Sequence, residues 1–117
     1  MNDILEIWVK KIRDNDAIQV SELYHENGLL LGTFSDIERH GRESIFSYFE
    51  NLLKSKVDVE IISQYKYKTD TITTSSGFYN FIVNGKIIKA RYSFVYLKVE
   101  DKWKILSHHS SLLPEKN

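Results

Sequence analysis

Residues 78–113 have the sequence FYNFIVNGKIIKARYSFVYLKVEDKWKILSHHSSLL, and this stretch is the most informative about the fold. Its many β-branched and aromatic residues are typical of half-buried strands. Asn84-Gly85 and Glu100-Asp101 interrupt it, and Asn-Gly between two such runs is the strongest short-range signal for a β-hairpin. With the similar run that precedes it, the stretch predicts three consecutive antiparallel strands, over residues 72–83, 86–99 and 102–112.

The chain before these strands contains helical and strand-like segments in turn. Apolar residues at helical spacing predict three helices, within residues 4–12, 17–24 and 45–53. An apolar run predicts a short strand at 29–34, after a turn at 25–28, and alternation predicts another strand at 57–61. This order predicts an α+β fold, in which three N-terminal helices pack on a curved, mostly antiparallel sheet and leave a conical cavity. A length of 117 residues fits a single domain, 1–117.

Composition excludes several classes of partner. Sixteen basic and sixteen acidic residues give a formal net charge of +0, which argues against nucleic acid as the main partner. The absence of cysteine excludes disulfides and zinc sites built on thiolates. No apolar run approaches the ~20 residues that span a membrane, and the start MNDILEIWVKKIRD does not resemble a secretory signal. We therefore expect a cytoplasmic protein that binds neither nucleic acid nor membranes and needs no cofactor.

Two adjacent histidines lie on the last predicted strand. If that strand is regular, His109 shares a face with Trp103 and Ile105, whereas His108 points to the opposite side. The pair cannot then chelate one metal ion, so we expect no metal site. A serine nucleophile with a histidine base is the other catalytic option, but no elbow motif surrounds Ser111. Either histidine can simply be a hydrogen-bonded strand residue, and His109 is expected to be the more enclosed one.

Arg91 is the charged residue of interest on the neighbouring strand. A buried arginine in an otherwise apolar strand must find a carboxylate, a carbonyl or an anionic ligand, because an unpaired buried charge is very costly. Two interpretations remain open. Arg91 forms a structural ion pair with a residue such as Glu43, Glu50 or Asp36, or it meets a carboxylate-bearing ligand in the cavity.

The sheet itself predicts self-association. Residues 78–83 and 92–97 are mainly apolar on both faces of their strands, and sheets of that kind are buried on both faces. Three helices cover only one face. The pattern therefore predicts a homo-oligomer, either a twofold dimer through the sheet or a larger ring built from such dimers.

Three stretches carry a resemblance to a known superfamily. LYHENGLLLGTFS (23–35), ERHGRESIFSYFENLL (38–53) and ARYSFVYLKVEDKWKILSHHSSLLPE (90–115) resemble, in this order, segments of the nuclear-transport-factor-2-like, or SnoaL-like, superfamily with its cystatin-like fold. The last stretch is similar to the final hairpin of proteins related to the association (hub) domain of calcium/calmodulin-dependent protein kinase II. Bacterial members of that group are often labelled SgcJ/EcaC-type proteins.

The resemblance implies a cavity and candidate residues. The hub domain has an arginine-lined cavity and a histidine on its last strand, which points to Arg91 and His109 as ligand-binding residues. Phe94 stands where the hub carries a further arginine. The candidate cavity residues are Arg91, His109, Tyr48, Tyr24, Trp8 and Phe94.

Two functions follow from the sequence and the resemblance. The first is a homo-oligomeric association or ligand-binding domain whose cavity takes a small organic molecule, such as a carboxylate. The alternative is a SnoaL- or ketosteroid-isomerase-like enzyme, of isomerase or lyase type, with His109 as general base and Tyr48 or Tyr24 as hydroxyl donor. Redox chemistry is not expected, because the sequence has no dinucleotide fingerprint and no flavin motif.

Overall fold

The computed structural model describes residues 3–115 and begins with two short helices. Helix α1, Ile4–Arg13, is capped by the Asp3 side chain, which accepts a hydrogen bond from the Leu5 amide. Helix α2, Ala17–Glu22, is capped by Asp16, whose side chain accepts a hydrogen bond from the Gln19 amide. Helix α3, Arg42–Leu52, follows later, after Gly41 with a φ of 90°.

Seven strands form one mixed sheet. They are β1 Tyr24–Leu31, β2 Arg39–His40, β3 Val57–Ile61, β4 Tyr65–Lys68, β5 Ile72–Val83, β6 Lys86–Val99 and β7 Lys102–Leu112. The order across the sheet is β2-β1-β7-β6-β5-β3, and β4 pairs with the other half of β5. Every pair is antiparallel except β1–β7, which is parallel. The prediction of an α+β fold with three helices on a largely antiparallel sheet is confirmed at this level.

The two predicted turns join β5, β6 and β7. Asn84 and Gly85 have φ values of 51° and 83°, and Glu100 and Asp101 have 49° and 65°. Positive φ at both central residues gives the turn the twist that the flanking strands require. The β5–β6 ladder consequently runs without a break from Val83↔Lys86 to Ile72↔Leu97.

Several elements of the first two thirds of the chain differ from the sequence prediction. The predicted second helix ends early and β1 begins at Tyr24, because Tyr24 pairs with Ile105 of β7 in place of the expected turn. The two-residue strand β2 lies between the predicted strand 29–34 and the predicted helix 45–53, where the sequence indicates neither helix nor strand. Strand β4 was not predicted, since all four of its residues are exposed and its sequence YKYK shows no buried face.

A β-bulge in β7 reverses the expected orientation of the two histidines. Val95 pairs with Ser107 and Tyr96 pairs with Ile105, so Leu106 is an extra residue without a partner in β6. Ile105 and His108 therefore both face the helices. The expectation that His109 is the more enclosed histidine is wrong: His108 is 2% exposed and His109 lies on the outer face of the sheet.

Large aromatic side chains pack between the helices and the inner face of the sheet. The Trp8 ring stacks at 6.0 Å from Tyr79 and meets Phe94 edge-on at 5.4 Å. Tyr24 and Phe49 pack against each other at 5.7 Å. All five rings are fully buried. They occupy the centre of the space that the sequence predicts as a conical cavity.

Candidate functional site

The six candidate residues divide between the two faces of the sheet. Trp8, Tyr24, Tyr48 and Phe94 lie inside, each at most 6% exposed. Arg91 and His109 lie outside. The structure brings Trp8, Tyr24 and Phe94 together around a different histidine, His108, which the sequence analysis had placed on the opposite side. Tyr48 lies at the edge of the same core.

His108 is the centre of a buried hydrogen-bonded network. Its Nδ1 lies 2.8 Å from the Tyr24 hydroxyl and its Nε2 lies 3.2 Å from the Tyr79 hydroxyl. Trp8 Nε1 donates to the Tyr24 hydroxyl at 3.2 Å. On the other side, the Tyr79 hydroxyl donates to Ser110 Oγ at 2.5 Å. Each polar group at this end of the interior thus has a partner, as buried polar groups need.

The network has one consistent direction of donation. Since Tyr79 donates to Ser110, its oxygen accepts from His108 Nε2–H, and Nδ1 then accepts from the Tyr24 hydroxyl. Ser110 Oγ also lies 2.5 Å from Thr33 Oγ1, so the chain of hydrogen bonds extends to the loop after β1. This pattern requires a neutral imidazole with its proton on Nε2.

The surroundings of His108 favour that neutral form. Its ring stacks on Phe94 with 3.9 Å between centroids and meets the Trp8 ring edge-on at 5.4 Å. Complete burial, and to a lesser degree the nearby His109, lowers the pKa of His108 to about 3. Burial likewise raises the pKa values of Tyr24 and Tyr79 well above their usual range. At neutral pH the cluster is uncharged, and it is suited to holding the core together.

Tyr48 lies at the edge of the same core, under the loop that follows β1. Its hydroxyl accepts a long hydrogen bond of 3.4 Å from the Phe34 amide, and Arg39 Cζ lies 6.0 Å from its ring centroid. Burial raises the pKa of Tyr48 to about 12. The ring passes so close to Gly32 that a Cβ there would lie 2.6 Å from it. Tyr48 thus supports the loop by close packing.

Arg91 and His109 line a depression of about 500 Å³ on the outer face. Arg91 Nε lies 3.5 Å from Ser111 Oγ on the neighbouring strand. Arg91 is solvent-exposed, and none of the ion pairs among residues 3–115 involves it. The expected burial of Arg91 is therefore wrong. It belongs to the outward set of alternating β6 side chains, whereas Tyr92 and Phe94 belong to the inward set.

A smaller cavity of about 160 Å³ lies beside the start of α1, and the sequence analysis missed it. We call it the α1 cavity; its lining residues are Asp3, Ile4, Lys66, Lys68, Thr73, Tyr96 and Trp103. The only signal in the sequence was the Tyr-Lys alternation of β4, which places both lysines on the inner side opposite Ser75 and Thr73.

The described part of the chain offers no set of metal ligands and no membrane-spanning helix. No three His, Asp or Glu residues within 3–115 are grouped closely enough to hold a metal ion. None of the helices described is both long enough and apolar enough to cross a bilayer.

Comparison with solved structures identifies the fold. A protein from Xanthomonas campestris, described as a calcium/calmodulin-dependent protein kinase II association domain, matches with a TM-score of 0.90 and 35% identity over 97% of this chain and 85% of its own. An NTF2-like protein of unknown function from Pseudomonas putida matches with a TM-score of 0.85 and 12% identity, over 95% and 82% of the two chains. A protein from Parabacteroides distasonis, described as a ketosteroid isomerase, matches with a TM-score of 0.80 and 19% identity, over 94% of this chain and 85% of its own.

The matches below 25% identity show the NTF2-like, cystatin-like fold and nothing about activity. No curated protein matches the chain. The family model for the calcium/calmodulin dependent protein kinase II association domain matches residues 1–114. Because this match covers almost the whole sequence and agrees with the 35% identical relative, the chain belongs to the calcium/calmodulin-dependent protein kinase II association domain family.

Proposed function

We propose that this protein is an association module that forms a homo-oligomer through the outer face of its sheet. The observation that carries the proposal is the set of apolar side chains on that face. The outward positions of β4 and β5 include Tyr65, Tyr67, Ile72 and Phe78, which are 76%, 71%, 42% and 46% exposed. Exposed apolar groups concentrated on one face of a sheet are typical of an interaction site.

The outer face has the shape and the polar groups that suit a docking surface. The depression around Arg91 and His109 is bordered by Phe78 and Tyr65, so apolar groups surround a polar centre. Ser76 Oγ donates to Ser93 Oγ at 3.0 Å across this surface. A binding partner here covers the aromatic rings and supplies acceptors to the arginine.

A second copy of the chain is the occupant that fits best. The family to which the chain belongs is named for association. The formal net charge of +0 provides little repulsion between identical copies. Isologous docking places the same face on both subunits, so each copy covers the apolar side chains of the other. The molecule measures 40 × 30 × 27 Å, so a sheet face of this size accommodates the ~800 Å² per partner of a standard interface.

Measurement of the mass in solution tests the proposal. Light scattering on a sizing column is expected to give a dimer or a multiple of it at micromolar concentration. Phe78→Asp places a charge in the interface and is expected to weaken association by at least ~tenfold. Ile18→Asp is the matched control, because Ile18 on α2 is also exposed, at 62%, but lies away from the sheet. A monomeric wild-type protein, or an unchanged mass for Phe78→Asp, contradicts the proposal.

The geometry gives less support to acid–base catalysis in the interior. The candidate base His109 and the candidate donor Tyr48 lie on opposite sides of the sheet. His108 is the histidine inside, and both its ring nitrogens are occupied by Tyr24 and Tyr79. The carboxylate-binding role inferred for Arg91 likewise moves to the outer face, where a carboxylate of a second subunit is the simplest partner.

A further inference from the structure

We propose that the α1 cavity is a binding site for a small planar anion that also carries a neutral hydroxyl or carbonyl group. This site is separate from the outer face and from the His108 network. Two observations, one on unpartnered buried hydroxyls and one on the charges around the opening, carry the proposal independently of each other.

Two buried hydroxyl groups at the α1 cavity lack partners. Among residues 3–115, Tyr96 Oη and Thr73 Oγ1 are the buried side-chain atoms without a hydrogen bond. The residues are 0% and 4% exposed. Ser75 is the nearby hydroxyl, but its Oγ accepts from Gln64 Nε2 at 2.9 Å, and Tyr96 Oη forms no hydrogen bond of normal distance and angle with it. Native interiors rarely leave such groups unpaired, and an unpaired group often marks a ligand site.

The same two hydroxyls line the cavity on neighbouring strands. Thr73 of β5 and Tyr96 of β6 are directly paired in the ladder, so their side chains lie on the same face of the sheet. The core around the His108 network, by contrast, has its hydroxyls linked to one another. Within residues 3–115, unused hydrogen-bonding capacity of buried side chains therefore lies at one end of the interior.

The size and walls of the cavity define the body of the ligand. Its volume of about 160 Å³ is close to the ~150 Å³ of an apolar cavity that accommodates benzene in another protein. The half-buried ring of Trp103 and the side chain of Ile4 provide apolar walls. A six-membered ring or a group of similar size therefore fits, and a larger molecule such as a steroid does not.

Charges around the opening favour an anion. Lys66 Nζ pairs with Asp3 Oδ2 at 3.2 Å, which neutralises one positive and one negative group. Lys68 Nζ lies 5.9 Å from the Trp103 ring centroid and Lys98 Nζ lies 6.0 Å from it, and none of the ion pairs of residues 3–115 includes either lysine. Two cations thus remain around the indole at the cavity entrance.

Together these features define an orientation for the ligand. The neutral hydroxyl or carbonyl group meets Tyr96 and Thr73, since these buried partners carry no charge to balance an anion. The anionic group remains near Lys68, where water still reaches it. 4-Hydroxybenzoate has this arrangement and serves as the probe; benzoate lacks the hydroxyl and 4-hydroxybenzyl alcohol lacks the charge.

Titration calorimetry with the three probes on the full chain tests the proposal. We expect saturable binding of 4-hydroxybenzoate, and binding of both analogues weaker by at least ~fivefold, because each loses one set of contacts. Tyr96→Phe and Thr73→Val are expected to remove the preference for the hydroxyl. Thr74→Val is the matched control, since Thr74 is next to Thr73 on the opposite face. Lys68→Gln should weaken binding and reduce its salt dependence, whereas Lys54→Gln, at an exposed position after α3, should not.

The results that would overturn the α1 site are different from those that would overturn association through the outer face. Absence of saturable binding by all three probes overturns the α1 site. Binding that is unaffected by both Tyr96→Phe and Thr73→Val, or equal for 4-hydroxybenzoate and the uncharged alcohol, overturns it as well. None of these results depends on the mass of the oligomer, which alone decides whether the outer face associates.

Discussion

The inner and outer faces of strands β5–β7 carry similar residues in opposite environments. Tyr79 and His108 face inward and are buried, and their neighbours Phe78 and His109 face outward and are exposed. The inward side chains are linked by hydrogen bonds and stacked rings. The outward ones surround an open depression. Residue type alone therefore does not distinguish a core position from a solvent-exposed position in this sheet; the face does.

This contrast indicates which face of the sheet can bind a partner. A fully satisfied, uncharged network contributes stability and has no group available for a ligand. An exposed apolar face contributes little to the stability of one subunit and much to contact between subunits. Each of the following predictions changes one face and uses the other as its reference.

The largest difference is expected between the two neighbouring histidines. His108→Ala removes a buried ring and the partners of Tyr24 and Tyr79, so the free energy of unfolding should fall by about 3 kcal/mol. His109→Ala should change it by less than about 0.5 kcal/mol, because this side chain is exposed. Denaturant unfolding in a Phe78→Asp background keeps association out of the measurement. Equal losses of unfolding free energy in His108→Ala and His109→Ala would contradict the burial of His108 and the exposure of His109.

The next effect is a dependence of stability on pH that originates on the inner face. In the unfolded chain His108 has the usual histidine pKa of about 6.5, whereas burial lowers its pKa in the folded chain to about 3. The contribution of neutral His108 to the free energy of unfolding is therefore complete above pH 6.5. It is lost as the pH falls towards 3, at up to about 1.4 kcal/mol per pH unit.

The pH range between 6.5 and 4.5 isolates this contribution. Asp3 and Asp58 have pKa values below the usual 3.8 of an aspartate, so the stability that they contribute is lost at lower pH. Denaturant unfolding between pH 7 and 4.5 should show that the free energy of unfolding of the wild-type protein decreases as the pH falls. The slope of this free energy against pH should be smaller in His108→Leu. If the two slopes agree, His108 is not buried in the neutral form.

The smallest effect is expected for Tyr48, at the edge of the inner face. Tyr48→Phe removes only the long hydrogen bond from the Phe34 amide, so the free energy of unfolding should fall by about 0.5 kcal/mol. Thermal unfolding of Gly32→Ala is the useful comparison, because the added Cβ would collide with the Tyr48 ring. This variant should therefore lose more stability than Tyr48→Phe. A loss of several kcal/mol for Tyr48→Phe would show that its hydroxyl has a further partner.

Much of the fold could be predicted because its signals are local. Asn84-Gly85 determines a turn by its own backbone preferences, and the alternation around it determines which residues pair. Helix α1 likewise follows from its apolar spacing and the cap at Asp3. These features do not depend on any distant part of the chain.

The site could not be predicted as well, because it depends on one extra residue. Leu106 interrupts the alternation of β7, and the sequence ILSHHSS contains nothing that marks it as a bulge. A slip of one residue exchanges the two faces of a strand, so His108 and His109 were assigned the wrong way round. Arg91 was misplaced for a related reason: its strand is apolar on both sides, so the pattern did not reveal which side was solvent-exposed.

Hydroxyl-radical footprinting across a range of protein concentrations shows whether the outer face associates. It reports the solvent accessibility of individual side chains, and so it distinguishes the two faces of one strand. We expect labelling of Phe78 and Tyr65 to fall as the concentration rises, while labelling of Ile18 on α2 stays constant. If Phe78 and Tyr65 remain equally accessible at every concentration, the outer face is not the association surface.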